Sequence, residues 1–511
     1  MTAPTARGPR ASLLRPARRL PPRLLPWAMG ALWLVLGGAF ALLGARLGVG
    51  RDALIPLGLA ATLLALVLSR AQPATVLVLL FAWFAFQNLV VIPLSELTLP
   101  ATTKGLLALK ELVIFGIAGL WILDGRVPRG RLFAVALAFI GLNLAGALLS
   151  ARGLMVVAST LRQNVVLVVM LLFGMQMRLS DAQARAAARG LLTLSAALVA
   201  FGFIERFALG DRFWLSWGVY EFASDKGFAE RFIFQASGLP GNFTFYDLGF
   251  PVRRMVSALA DPTLFSHFLA LPAIITLAAG EALGVRRRRL LLITFLAGIG
   301  LSFGRGGMLT FAVGAGVWYA SLRGAIPWRW IAGLGLAGIF VTLALPGDGN
   351  LFAFHEKSSG AIHLRGLFEN MAALREAPLG RGLGTAGNLA KVFGDLDATR
   401  GAGESFIGAL VYQLGVPGLI LWVTLLLGTS AALLRQADTH LGIRGALSRA
   451  VGASLPGVLL TSAVSESAVA LTGSGLFFLL AGALLRPPAP RAEASGTAPE
   501  PARASPSGGE A

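Results

Sequence analysis

Long stretches built almost wholly of Leu, Ala, Val, Gly and Phe recur along this chain, each separated from the next by a shorter polar segment. No other feature constrains the fold as much. A hydrocarbon core about 30 Å thick is crossed by a helix of about 20 apolar residues, and backbone inside it must satisfy its own hydrogen bonds. A helix of a water-soluble domain carries its apolar residues on one face. These stretches are apolar all round, so the chain reads as an all-α polytopic membrane protein. Its residues are 56% hydrophobic and 14% charged, against roughly 25% charged in soluble domains. That excludes a soluble enzyme, a disordered chain and a secreted disulfide scaffold. The absence of cysteine removes thiolate metal sites and Cys nucleophiles, and four histidines leave little for a multi-His centre.

About fourteen spans (12–14) are expected from the uninterrupted apolar runs. Residues 1–24 are Arg- and Pro-rich and expected to be disordered. Residues 25–204 hold seven spans: Leu25–Leu43, Ala53–Leu68, Pro73–Ile92, Gly105–Leu123, Leu132–Leu149, Val165–Met177 and Leu191–Ile204. The first follows a basic start, as in a signal peptide, but its length and the span right after it favour a retained helix. Residues 205–261 mix Trp214, Trp217 and Tyr220 with charges, which predicts a folded loop and not a linker. Residues 262–345 hold Pro262–Ala279, Leu290–Phe303, Met308–Leu322 and Trp330–Leu345. Residues 346–404 form a second long loop. Residues 405–485 hold Phe406–Leu434, Ala450–Val464 and Ala468–Leu485, and the Pro/Ala/Ser-rich tail 486–511 reads as disordered.

The net charge of +19 would point to nucleic acid in a soluble protein. In a membrane protein its position along the chain decides. With the N-terminus inside, the inner segments carry 25 basic and 7 acidic residues, and the rest of the chain carries 19 and 18. Both termini are therefore expected in the cytoplasm and both long loops outside. The positive excess is a signature of insertion and of contact with anionic membrane lipid, so no nucleic-acid partner is expected. No internal repeat is evident, which weighs against a secondary transporter.

Intramembrane and outer-face charges are the candidates for chemistry. Arg305, in Leu301-Ser-Phe-Gly-Arg-Gly-Gly307, stands at a helix break where backbone amides and a guanidinium could cradle a pyrophosphate or carboxylate. A tight turn with a snorkelling arginine would read the same. Arg253 and Arg254 precede Asp261-Pro262 and the next span, and Arg254 is the better anion ligand of the two. His363–Glu376 reads as an amphipathic helix ending at Ala377-Pro378, followed by the Gly-rich turn Leu379-Gly-Arg381-Gly-Leu-Gly384. Glu404 stands at a helix N-terminus, either as a capping carboxylate or as a general base for a sugar hydroxyl. His355 and His363 are loop histidines that could serve as that base. His267, beside Ser266 on a span, reads as buried and hydrogen-bonded, and His440 as cytoplasmic. Lys110 and Glu111 are adjacent and must find partners on other helices. Arg162, outside before a span, is a further anion ligand. No Walker loop, dinucleotide fingerprint or metal-spaced His pair occurs, so no cofactor is expected.

In order and spacing over about Leu132 to Leu434, these pieces resemble the O-antigen ligase and polysaccharide polymerase superfamily of bacterial envelopes (Wzy-type polymerases and their ligase relatives). That family shows an Arg before an Asp/Asn-Pro-Asn-like helix start, matched by Arg254 and Asp261-Pro262-Thr263. It shows a Ser-Arg-Gly element between two spans, matched by Ser302-Phe-Gly-Arg305-Gly, with Gly304 in place of Ser. Its large loop carries an Arg and a Pro-Leu-x-Gly-x-Gly-like turn, similar to Arg365 and Pro378-Leu-Gly-Arg-Gly382. A polar residue then opens a span with an apolar-Gly-x-Pro-Gly pattern, similar to Glu404 and Leu414-Gly-Val-Pro-Gly418.

The resemblance implies a GT-C-like fold with two large periplasmic loops in the bacterial inner membrane. It implies a metal-independent glycosyltransferase whose donor is an undecaprenyl-pyrophosphate-linked glycan. Arg254, Arg305, Arg365 and Glu404 would be the catalytic residues, with His363 as the alternative base. Arg162, Arg254, Arg305, Arg365 and Arg381 would bind pyrophosphate, and a chain-length regulator would be a partner. Ligases of the family carry a His near the end of the large loop. Glu404 stands there instead, which favours a polymerase joining repeat units. The alternatives are a ligase onto a lipid A core or other acceptor, a shape/division-type peptidoglycan polymerase, and a transporter or flippase of lipid-linked sugars.

Overall fold

A computed structural model describes residues 51–95, 100–225, 238–245, 250–279, 283–324, 359–388, 404–440 and 442–486, with residues 51–57, 100–102, 104 and 359–365 described by backbone alone. The expected spans Leu25–Leu43 and Trp330–Leu345, the two termini and His355 lie outside the described residues. Within them the protein is overwhelmingly helical. The helices that correspond to expected spans are α1 (Arg51–Ser69), α2 (Pro73–Ser95), α3 (Pro100–Leu123), α4 (Arg131–Leu148), α5 (Leu154–Met175) and α6 (Asp181–Ile204). Past the first long loop come α9 (Pro262–Ala278), α10 (Val285–Leu301) and α11 (Arg305–Leu322). Past the second come α13 (Phe406–Thr439), α14 (Ile443–Ser462) and α15 (Leu471–Leu485). Among the described residues, six helices are long and apolar enough to cross a membrane by themselves: α2, α3 from Gly105, α4, α5, α6 with its extension to Ser216, and α13. This is an all-α membrane protein.

Several helices start earlier than the apolar runs. α5 begins at Leu154, eleven residues before the run that starts at Val165. Its first three turns contain Arg162, Gln163 and Asn164, which break the hydropathy pattern. Each is partnered inside the bundle: Arg162 with Glu111 of α3, Gln163 with Glu466, and Asn164 with Asn143 of α4 at 2.9 Å. Buried polar groups are tolerated when hydrogen-bonded, so the helix continues through them. α6 likewise starts at Asp181, where Ser180 and Gln183 form a reciprocal capping box.

Helices pack at small residues. Gly174 of α5 and Gly482 of α15 face each other so closely that a Cβ on either would fall well inside 3.0 Å of the opposite backbone, the small-residue contact that lets membrane helices approach. Trp422 of α13 fills the centre, with its ring 5.6 Å from Phe139, 5.2 Å from Phe406 and 6.0 Å from Phe478. α5 and α15 are parallel, so the last residues of both reach the same end of the bundle.

Where described, the first long loop is folded, as its Trp and Phe content predicts. α6 runs into a π-turn at Glu205–Leu209, then α7 (Gly210–Ser216) and α8 (Val219–Asp225). A two-residue hairpin, β1 (Thr244–Phe245) against β2 (Val252–Arg253), is the one departure from all-α among the described residues. Trp214, Phe222, Phe243 and Val256 form a separate small core against Val91 and Ile92 of α2. The buried Glu205 carboxylate accepts from Trp214 Nε1 (2.8 Å), the amides of Val256 (3.0 Å) and Ser257 (3.3 Å), and Arg253 Nη2 (3.3 Å).

The second long loop, where described, opens with α12 (Ser359–Ala372), close to the expected amphipathic helix. Met371 and Leu374 pack on Ile407, Val411 and Leu419 of α13. The Gly-rich turn then docks into a break in α13. Gly415 has φ 64°, and Pro417 follows. In a continuous helix Tyr412 and Gln413 carbonyls would accept from residues 416 and 417. Pro417 has no N–H, and Val416 N–H turns to Pro378 O at 2.9 Å. Arg381 N–H and Gly382 N–H fill the two vacated carbonyls of Tyr412 and Gln413, both at 3.0 Å. The two glycine motifs singled out in the sequence are thus the two halves of one contact.

Candidate functional site

The geometry that most resembles an anion site lies where α10 ends and α11 begins. Ser302, Phe303 and Gly304 make the turn, Phe303 with φ 48°, and Arg305 is the first residue of α11. The first loop supplies caps to the last carbonyls of α10. Leu301 O accepts from Met255 N (3.0 Å) and Arg206 Nη1 (2.9 Å). Ser302 O accepts from Arg254 Nε (2.7 Å), and Phe303 O from Arg254 Nη2 (3.2 Å). Arg254 also reaches Asn242 O at 3.3 Å. A cation at a helix C-terminus is favourable, so Arg254 holds the turn that presents Arg305. Arg253 is used differently: it bridges Glu205 and Asp211 and lies over the Phe243 ring at 4.8 Å.

Arg305 is exposed. Its guanidinium lies over Phe245 at 5.6 Å, and Phe245 stacks on Phe303 at 5.1 Å. A positive side chain at a helix N-terminus opposes the dipole by about 0.3–1 kcal/mol. The same end carries amides with no partner inside the helix. Amides, Arg305 and the neighbouring Arg254 thus gather hydrogen-bond donors at one corner, a donor set that suits an anion.

Three glycines around Arg305 bring α11 against α9. A Cβ at Gly304 or Gly307 would overlap Ser266, and one at Gly306 would lie 2.6 Å from His267 Nε2. Gly304 has no room for a side chain, because Ser266 fills the space a Cβ would take. The expectation for His267 needs correcting. It is fully buried, but neither ring nitrogen has a hydrogen-bond partner among the described residues. The ring is held by packing between Gly306 and Gly473. Asp261 caps α9 through Thr263 N (2.8 Å) and Leu264 N (2.9 Å), and Asn242 donates to its other oxygen at 3.1 Å.

The remaining candidates separate. Arg162 is not in a loop before a span; it lies inside α5, and Glu111 holds it in a two-point ion pair, Nε to Oε2 at 2.7 Å and Nη2 to Oε1. Lys110 donates to Gln87 Oε1 at 2.8 Å and Leu107 O at 2.9 Å. Arg381 pairs with Glu376 and lies 5.0 Å over Tyr412. Glu404 is exposed two residues before α13. The helix cap is Ser405, whose Oγ accepts from Gly408 N at 2.9 Å, so the carboxylate is not the cap that the sequence suggested. His363 and Arg365 fall on α12, and their side chains lie outside the described residues.

One acid escaped the sequence reading. Glu466, in the turn between α14 and α15, is buried and accepts from Gln163 Nε2 (3.2 Å) and Asn388 N (3.0 Å). It ties the end of the Gly-rich segment to α5. Five residues earlier, Thr461 donates to Gly306 O at 3.3 Å, which puts this turn at the Arg305 end of the bundle. The signal was available: Glu466 is the single acid between residues 450 and 485. Compared with known proteins, the chain matches no family model and no curated relative.

Proposed function

We propose that this membrane protein is a bacterial envelope polysaccharide polymerase that joins undecaprenyl-pyrophosphate-linked oligosaccharide repeat units on the periplasmic face. The observation that carries the reading is the convergence of Arg254 and Arg305 on one turn at the N-terminus of α11. In the reaction the acceptor hydroxyl oxygen bonds to the donor anomeric carbon, and the bond from that carbon to the pyrophosphate oxygen breaks. The lipid pyrophosphate leaves with the electron pair. Fixed guanidinium groups stabilise that growing charge, and no metal or nucleotide sugar is required. Glu404 is exposed at the mouth of α13 and is the base proposed to take the hydroxyl proton; Arg365 and Arg381 of the second loop would contact the donor. The reading carries a GT-C-like bundle of about fourteen spans in the inner membrane, with both termini cytoplasmic.

Arg305 is the decisive position, because Arg254 also holds the turn and its loss would deform the site. In the native host, Arg305→Ala and Glu404→Ala should abolish long-chain glycan while protein level and membrane insertion stay normal. Long chains of normal length in Arg305→Ala would refute the polymerase reading. Full activity in Glu404→Gln would move the base to His363. Failure of single repeat units to reach the cell surface in Arg305→Ala would favour a flippase.

A further inference from the structure

At the end of the bundle opposite the Arg305 turn, the ends of α5 and α15 and the segments that follow α3, α5 and α15 line a half-open cavity of about 320 Å3, with Val127, Arg129, Met175, Arg178, Leu485 and Arg486 in its wall. α15 spans 15 residues from Leu471, near His267, to Leu485, which separates this cavity from the other end by roughly 20 Å. We propose that this cavity is a binding site for a phosphate group, supplied by the headgroup of an anionic phospholipid, that clamps the three helix ends together.

Three segments far apart in sequence each deliver one arginine to the cavity, and no acidic side chain lines it. Arg486 is fixed: its Nη1 donates to Met175 O and Gln176 O, both at 3.2 Å, and so caps α5. Arg444, buried behind it, caps α15 through Leu484 O (3.1 Å) and also holds Leu179 O (2.6 Å). Arg129 and Arg178 have no hydrogen bond or ion pair among the described residues. Burial, and then the repulsion of Arg178, Arg126 and Arg129, push the Arg486 guanidinium below its ordinary range. Like charges gathered this closely are unfavourable without an anion, and planar guanidinium groups match phosphate oxygens two at a time. The volume suits a small charged group. The wall beside it is apolar: Val127, Met175 and Leu485 line it, and Leu123, the last residue of α3, is exposed. A lipid headgroup with its acyl chains along the helices satisfies both the charge and the wall; a free phosphate satisfies the charge alone. The positive-inside signal thus has a structured part here, independent of the outer-face chemistry.

The test uses the purified full chain in detergent, titrated with cardiolipin, phosphatidylcholine or inorganic pyrophosphate. Native mass spectrometry counts bound ligand, and thermal unfolding reads stabilisation. Cardiolipin should remain bound and raise the unfolding temperature, and phosphatidylcholine should not. The double variant Arg129→Ala/Arg178→Ala, which touches no structural hydrogen bond, should weaken cardiolipin roughly tenfold or more. Arg286→Ala/Arg287→Ala removes the same charge from α10 and should leave binding unchanged. A pyrophosphate effect lost in the first double variant would keep the site and assign it a free phosphate. Equal binding of cardiolipin and phosphatidylcholine, equal losses in both double variants, or wild-type binding in Arg129→Ala/Arg178→Ala would each overturn it.

Discussion

The contact between Gly304 and Ser266 sets how closely α11, and with it Arg305, approaches α9. Gly304→Ser tests it. The backbone at Gly304 has φ −85°, which any L-residue adopts, so conformational strain drops out and only space decides. A Cβ there would overlap both Oγ and Cβ of Ser266, with Ser302 Oγ at 3.1 Å. Forcing a side chain into such a packed site costs about 1–3 kcal/mol. Ser266→Gly removes the obstructing atoms and by itself costs about 0.5–1 kcal/mol through helix propensity. The double variant should then be little worse than Ser266→Gly alone, leaving a favourable coupling of about 1–2 kcal/mol in a double-mutant cycle. Reversible unfolding in mixed micelles, followed by circular dichroism, measures all four corners. A coupling within about 0.5 kcal/mol of zero, or a fully stable Gly304→Ser, would show that the two helices do not meet at this point and would remove the explanation offered for the glycine.

Two further outcomes follow from buried carboxylates. Glu111 is 2% exposed and its partner Arg162 40%, so the pair should respond asymmetrically: Arg162→Ala strands a buried charge and costs about 3 kcal/mol, whereas Glu111→Gln keeps an amide oxygen that can still accept from the less buried Arg162 and costs about 1 kcal/mol; thermal unfolding in detergent ranks them, and equal losses would contradict the burial argument. Glu205→Ala removes the acceptor shared by Trp214, Val256, Ser257 and Arg253 and should cost about 3 kcal/mol, seen as rapid proteolysis within residues 205–261 while the helix signal persists; an unchanged digestion pattern would sink it.

Hydropathy alone located the long apolar helices among the described residues, because in lipid the length of an apolar run and the length of a span are nearly one quantity. It misplaced their beginnings for a reason visible at α5. Arg162, Gln163 and Asn164 look like loop residues to a hydropathy window, but each has a partner on another helix. Pairing across the bundle is what makes them compatible with a span, and pairing between distant segments is not a property of any local stretch. The same holds for Glu466, whose donors come from residues 163 and 388.

The arginines divide along the same line. Sequence position could nominate Arg162, Arg254, Arg305 and Arg381 alike, since each is a cation kept away from the inner segments. The structure distinguishes them by what already answers each charge. Glu111 answers Arg162 and Glu376 answers Arg381, and a neutralised guanidinium gives little to a passing anion. Arg254 is bound to the carbonyl dipoles of Ser302 and Phe303, which orient it at the turn. Arg305 stands against a helix dipole that repels it. An anionic substrate of the kind proposed would meet Arg305 and Arg254 at one turn. The glycines at 304, 306 and 307 then bear on the proposed function as well as on packing, because the close approach they allow sets where Arg305 stands, and charges already in place would have less reorganisation to make in a transition state.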